Sequence, residues 1–69
     1  MDQEQIERNH SAAMDSVNLI NAGQPSGVSD DDWIEMLANN HAHLVHVRAN
    51  YEWDGMDMTA IDACIEASQ

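Results

Sequence analysis

The chain has no Lys and no Phe, and among its 69 residues it has only two Arg, one Pro, one Cys and three Gly. Thirteen Asp and Glu give it a formal net charge of −11. Such a surface repels the phosphates of nucleic acids and of anionic lipids, so direct binding to either is excluded as a function. A single cysteine cannot form an intramolecular disulfide and gives no sign of an oxidising compartment.

Long apolar runs and targeting signals are lacking as well. No stretch approaches the roughly 18 consecutive apolar residues of a membrane span, so no membrane partner is expected. The first residues, Met1 to Glu4, are acidic where a secretory or transit peptide is basic. We therefore expect no secretion by a signal peptide.

Large aliphatic side chains are few, because Leu, Ile and Val together make up only twelve of the 69 residues. That fraction is close to the composition of disordered chains. Five Met, two Trp, one Tyr and nine Ala supply additional core and helix-forming residues. The composition predicts one small helical domain over residues 1–69, stabilised by a partner or by self-association.

Loop signals divide the chain. The only Pro and two of the three Gly lie in Gly23–Gly27, which predicts a loop over 23–28. Upstream of it, apolar and small residues recur at the three- and four-residue spacing of one helix face. This spacing predicts a first helix over about 2–22, with a face formed by Ile6, His10, Ala13, Val17 and Ile20.

The second helix is predicted over about 29–52. Ser29 is a favourable N-cap, and Asp30, Asp31 and Asp32 follow it at the positive end of the helix dipole. One stripe of this helix is predicted to face the core, and it comprises Trp33, Leu37, Asn40, Leu44, Val47 and Tyr51. A separate small-residue edge, where another helix could approach closely, is formed by Ala38, Ala42 and Ala49.

A turn over 53–56 separates the second helix from a third, predicted over about 57–67. Asp57 and Thr59 are alternative N-caps for this third helix. Its inward face is predicted to comprise Met58, Ile61, Cys64 and Ile65. The fold class is therefore all-α, a small three-helix bundle around a long central helix.

The histidines are the first candidates for a metal site. His43 and His46 lie three residues apart, so their rings fall on neighbouring helical turns. His41 points well away from His46, and a catalytic zinc needs about three protein ligands. No recognised ligand spacing is present, so we predict neither a metal nor another cofactor and keep His43 and His46 as weak candidates.

Catalytic signatures are lacking. Cys64 lies on the apolar side of the third helix, where a free cysteine behaves as a small hydrophobe. The sequence contains no phosphate-binding loop, no nucleophile elbow and no metalloprotease motif. We predict no catalytic residue and no enzymatic activity. For Arg48, the alternatives are an ion pair within the chain and contact with a carboxylate of a partner.

Aromatic and methionine residues predict a surface that binds protein. Trp53 lies in the second turn and is predicted to lie outside the core, as an anchor for a partner's groove. Tyr51, Met56 and Met58 surround it in the sequence. Asp30, Asp31 and Asp32 are expected to favour a partner with a basic surface by electrostatic attraction.

The C-terminal half carries a resemblance to a known group. Asn40 is followed by the His43-Leu44 pair, and the aromatic-acidic turn Trp53–Gly55 comes next. Asp57-Met58-Thr59 then leads into the Ala-rich closing segment 60–67. This succession over about 30 of the 69 residues resembles very small tailed-bacteriophage proteins encoded near tail or tail-fibre genes, most of which have no assigned activity.

The resemblance implies a non-enzymatic phage accessory protein that binds other chains in or near a virion's tail or head. The expected location is then the host cytoplasm or the virion. An alternative is an acidic phage-encoded inhibitor, similar in size and charge to anti-CRISPR proteins, that blocks a host machine built to bind nucleic acid.

Overall fold

The computed structural model describes residues 2–68, and those residues form three helices. Helix α1 spans Gln3–Ala22, α2 spans Asp30–Asn50 and α3 spans Thr59–Ala67. Each helix contacts the other two, and the molecule measures 39 × 22 × 17 Å. The all-α three-helix bundle predicted from the sequence is confirmed. In the described part of the chain, no helix has the length and hydropathy needed to cross a bilayer.

The first two helices begin at side-chain caps. Asp2 Oδ1 accepts a hydrogen bond from the backbone N–H of Gln5 at 2.8 Å. Ser29 Oγ accepts one from the N–H of Asp32 at 3.2 Å, which confirms the predicted cap of α2. Each bond satisfies one of the backbone donors that a helix leaves free in its first turn.

Gly23 ends α1. Its φ of 82° and ψ of −178° lie in a region that is essentially restricted to glycine. Its N–H donates to the carbonyl of Ile20 at 3.4 Å. The predicted break after Ala22 is therefore produced by a backbone conformation that no other residue at this position would adopt without strain.

α3 begins at Thr59, two residues later than the predicted boundary, and Met58 is its N-cap residue. Neither Asp57 nor Thr59 is at the N-cap position. Asp57 nevertheless stabilises the start of the helix, because its Oδ1 accepts a hydrogen bond from the N–H of Thr59 at 3.0 Å. This bond holds the pKa of Asp57 below its usual value.

The core is small and is concentrated at one end of α2. Leu44 and Ile61 are fully buried at 0% exposure. They belong to one apolar cluster with Ala13, Val17, Val47, Trp53 and Cys64. α3 has nine residues and α2 has 21, so their lengths are about 14 Å and about 31 Å. A helix as short as α3 cannot cover the whole of α2, and only Leu44 and Val47 of α2 are fully inside.

The prediction that Trp53 lies outside the core is wrong. Trp53 is only 9% exposed, and its indole Nε1 donates to the carbonyls of Val47 at 3.2 Å and Arg48 at 3.3 Å. Those carbonyls belong to the last turn of α2, where most carbonyls have no partner within the helix. The carbonyl of Val47 also accepts a hydrogen bond from the N–H of Tyr51 at 3.0 Å. The indole ring of Trp53 therefore buries apolar area, and its N–H also supplies a hydrogen-bond donor to the carbonyl end of α2.

The turn that follows Trp53 is closed by a hydrogen bond from the N–H of Met56 to the carbonyl of Trp53 at 3.0 Å. Gly55 within this turn has a φ of 79°.

Leu44→Ala is expected to lower the free energy of unfolding by about 2–5 kcal/mol, because it leaves a cavity at a fully buried position. The neighbouring Val45→Ala removes an exposed side chain and is expected to change it by less than about 0.5 kcal/mol. Urea denaturation followed by circular dichroism measures both values.

A domain of this size has only about 5 kcal/mol of stability, so Leu44→Ala could abolish folding altogether. Ile61→Val, with an expected loss of about 1 kcal/mol, then gives a measurable value. Equal losses for Leu44→Ala and Val45→Ala would contradict the burial pattern.

Candidate functional site

The three helices leave an open cleft of about 480 Å³ beside the N-terminal half of α2. α2 contributes Trp33, Leu37 and His41, all half-buried. α1 contributes Ile20 and Asn21, Gly23 follows the end of that helix, and α3 forms the remaining wall. Because this cleft lies between all three helices, we name it the interhelical cleft.

Small side chains on α3 keep the interhelical cleft open. Ala60, Ala63 and Ala67 line it at a three- and four-residue spacing, so they lie along one face of α3. Each is too short to reach Trp33 and Leu37 across the gap, and a large apolar residue at these positions would have closed it. The cleft therefore results from alanine spacing as well as from the short length of α3.

Among the described residues, those that line the interhelical cleft include no carboxylate. Its groups capable of chemistry are the imidazole of His41 and the thiol of Cys64. Desolvation raises the pKa of the Cys64 thiol, so the thiol remains protonated at neutral pH and is a poor nucleophile. An apolar wall with a half-exposed tryptophan is instead typical of a surface that receives apolar side chains.

An acidic end borders the interhelical cleft. Gln24, which follows Gly23 of the cleft wall, donates from its side-chain Nε2 to Asp30 Oδ1 at 2.9 Å and to the carbonyl of Val28 at 2.7 Å. These bonds fix the loop against the first turn of α2. Asp30 and its two acidic neighbours are exposed there, one helical turn before Trp33.

The four aromatic and methionine residues predicted to bind a partner do not form a protruding anchor. Trp53 lies in the core, and Met58 packs against the core cluster. Met56 is half-buried. Tyr51 is 41% exposed and stacks on Trp53, with the ring centroids 6.4 Å apart and the planes inclined by 24°. The partner-binding roles of Tyr51, Met56 and Met58 remain predictions, while Trp53 acts from inside the fold.

His43 and His46 are both exposed on α2. Over residues 2–68 the structure brings together no three His, Cys, Asp or Glu side chains that could hold a metal ion. The rings of His46 and Tyr51 are arranged edge-on, with their centroids 6.4 Å apart. The Nδ1 atom of His46 lies 3.4 Å from the side-chain Nδ2 of Asn50.

Arg48 forms the intramolecular ion pair that was one of its two predicted alternatives. Its Nε donates to Asp62 Oδ1 of α3 at 2.7 Å, and this hydrogen bond raises the pKa of the guanidinium. Arg8 lies 3.6 Å from Glu4 on α1. Both arginines of the chain are thus paired with its own carboxylates.

His10 has a structural role that the periodicity of α1 did not reveal. Its Nε2–H donates to the backbone carbonyl of Asp57 at 2.8 Å and so joins α1 to the segment before α3. Gln3 makes a second link by donating from Nε2 to the carbonyl of Asp54 at 3.5 Å. The sequence gives no signal for these links, because both acceptors are backbone atoms of a loop.

No family model matches this chain, and neither a curated protein nor a solved structure matches it.

The desolvated thiol of Cys64 is expected to react with iodoacetamide at least about tenfold more slowly in the native protein at pH 8 than in 8 M urea. Mass spectrometry of samples quenched over time measures the two rates. Equal rates would show that the thiol is accessible and ionisable in the fold, and would contradict its placement as an inert wall of the interhelical cleft.

Proposed function

We propose that this chain is a non-enzymatic, phage-type accessory protein that binds other protein chains, and that the interhelical cleft is its docking site. The observation that carries the docking role is an open apolar cleft with Trp33 half-buried in its wall. The phage setting and the association with a virion's tail or head are supported by the resemblance of the C-terminal half.

The shape and lining of the interhelical cleft fit apolar side chains of a partner. Trp33 and Leu37 each keep part of their surface in water, and covering that surface would contribute about 25 cal/mol per Å². Tryptophan is enriched among the residues that dominate binding energy at interfaces. A partner helix or loop that places two or three apolar side chains here would complete the half-covered N-terminal end of α2.

Charge defines the class of partner further. Asp30, Asp31 and Asp32 are exposed where α2 begins, and the chain as a whole carries −11. A partner with Lys or Arg beside its apolar residues is attracted over a distance of about 10 Å at moderate salt. The proposed partner segment is therefore amphipathic and basic.

Ala63→Arg is expected to weaken partner binding at least about tenfold, which corresponds to about 1.4 kcal/mol, because it places a cation inside the interhelical cleft. Ala12→Arg is the matched control: it adds the same charge at an exposed alanine of α1 that does not line the cleft. Both variants, and the unaltered chain, are immobilised and used to capture proteins from infected-cell lysate, with quantification by mass spectrometry.

The expected result is a protein retained by the unaltered chain and by Ala12→Arg but lost with Ala63→Arg. Identical sets of captured proteins for all three chains would contradict the role of the cleft. The virion association is tested separately by quantifying the chain in purified particles, and its absence from them would remove that part of the proposal.

A second candidate function is inhibition of a host machine that binds nucleic acid. All thirteen carboxylates are exposed, and both arginines are already paired within the chain. The charge of −11 along 39 Å is about one charge per 3.5 Å, compared with about one per 1.7 Å for double-stranded DNA. This surface could occupy a basic channel, although with half the charge density of DNA.

Salt distinguishes the two functions. Capture that depends on the apolar cleft is expected to persist between 0.1 and 0.5 M NaCl, because burial of apolar surface is not screened. Capture by charge alone is expected to fall by orders of magnitude over the same range. Repeating the lysate experiment at both concentrations measures this, and loss of every partner at 0.5 M would favour the inhibitor.

A further inference from the structure

A second apolar surface lies on the side of α2 that faces away from the core. Ile34 is 63% exposed and Val45 is 47% exposed. Between and after them, Ala38, Ala42 and Ala49 are exposed as well. The spacing of four, four, three and four residues places these five side chains along one line of the helix, about 22 Å long. We name this line the open face of α2.

The small-residue edge predicted from the sequence belongs to this open face, and neither α1 nor α3 covers it. The core side of α2 buries Leu44 and Val47, so α2 is apolar on two sides. A helix at the surface of a single domain normally has a polar outer side. The second apolar side is therefore available to a helix from outside the described part of the chain.

We propose that the open face of α2 binds the same face of a second copy, with the two helices antiparallel and related by a two-fold axis near Ala42. This arrangement rests on the size of the side chains, the distribution of charge along α2 and the length of the face. It concerns a different surface from the interhelical cleft and does not depend on the proposed function.

The side chains of the open face are complementary to themselves in this arrangement. When Ile34 of one copy lies opposite Ala49 of the other, Val45 lies opposite Ala38, and the two Ala42 residues meet near the axis. Each branched side chain thus faces an alanine, which lets two helices approach closely without a clash or a void. A two-fold axis repeats both pairs, so one favourable contact occurs twice.

The charges of α2 also favour the antiparallel arrangement. Its carboxylates are confined to the segment Asp30–Glu35, and its remaining residues, 36–50, contain three histidines and Arg48 but no acid. A parallel pair would set the two acidic segments side by side. In the antiparallel register, residues 33–35 of one copy lie over residues 48–50 of the other, and Asp30–Asp32 lie over residues 51–53, beyond the end of α2. Glu35 and His46 border the open face on the same edge, and in this register Glu35 of one copy lies within about two residues, or about 3 Å along the axis, of His46 of the other. The helix dipoles are opposed as well.

None of the five side chains of the open face is charged, and the nearest carboxylates of α2 are those of Asp31, one turn before Ile34, and Glu35, at its edge. Glu4, Glu7 and Asp15 lie on the outer side of α1, and all three are exposed. The acid-free segment of α2 is the longest part of any helix in the fold without a carboxylate. Four of the five side chains of the open face lie in this segment, so it would make most of the contact with a second copy.

The length of the open face limits the expected affinity of the dimer. A single pair of helices in contact over about 22 Å buries less than the roughly 1,200 Å² of a standard stable interface. We therefore expect a dimer that dissociates in the micromolar range and depends on concentration.

Sedimentation equilibrium between 5 and 500 µM tests the proposal. The unaltered chain is expected to shift from monomer to dimer across this range. Val45→Glu is expected to remain monomeric, because it places a charge in the contact, whereas His43→Glu should dimerise as the unaltered chain does. His43 is the matched control because it is exposed on the other side of α2, two residues away. Circular dichroism verifies that both variants fold.

A monomer at 500 µM, or equal weakening by Val45→Glu and His43→Glu, would overturn the proposal. Ala63→Arg in the interhelical cleft is expected to leave the dimer intact, so the failure of this proposal and that of the docking role are distinguishable.

Disulfide formation tests the orientation, with Cys64→Ala as the common background. Ala42→Cys is expected to form a covalent dimer on oxidation, because the two positions meet near the axis. Ala49→Cys alone should not, since its copies lie about 22 Å apart in an antiparallel pair. A mixture of Ala49→Cys and Ile34→Cys should form a heterodimer. Efficient dimerisation of Ala49→Cys alone would indicate parallel helices and contradict the proposed arrangement.

Discussion

The fold depends on the return of Trp53 to the end of α2. Its ring fills the core, and its indole N–H donates to the carbonyls of Val47 and Arg48 in the last turn of α2. This position fixes where the chain reverses and therefore where α3 begins. Because α3 starts from there and has only nine residues, it covers one end of α2 and leaves the other half-covered.

Both candidate surfaces exist because the other two helices cover only part of α2. The interhelical cleft exists because α3 contributes alanines where larger side chains would have closed the gap above Trp33 and Leu37. The open face of α2 exists because a bundle of three helices can surround only part of its longest member. A chain with so few aliphatic residues has enough apolar surface for one small core, and the remaining apolar surface is exposed.

The distribution of charge separates these apolar surfaces from the acidic ones. All thirteen Asp and Glu side chains are exposed, and within residues 2–68 none of them lines the interhelical cleft. Solvation of the acids keeps them out of the core, since burying an unpaired carboxylate costs several kcal/mol. The two arginines are paired within the chain, so the outer surface attracts cationic partners while the cleft and the open face remain apolar.

The sequence by itself determined the three helices, because helical spacing, the Ser29 cap and Gly23 act through neighbours along the chain. It also determined the acidic surface and the small-residue edge of α2. It could not place Trp53, since a tryptophan after the end of a helix has no periodicity, and its partners are backbone carbonyls that become available only when the chain folds back. The links from His10 and Gln3 to loop carbonyls and the interhelical cleft were likewise decided by tertiary structure, because they depend on the lengths of three helices and on where two turns direct them.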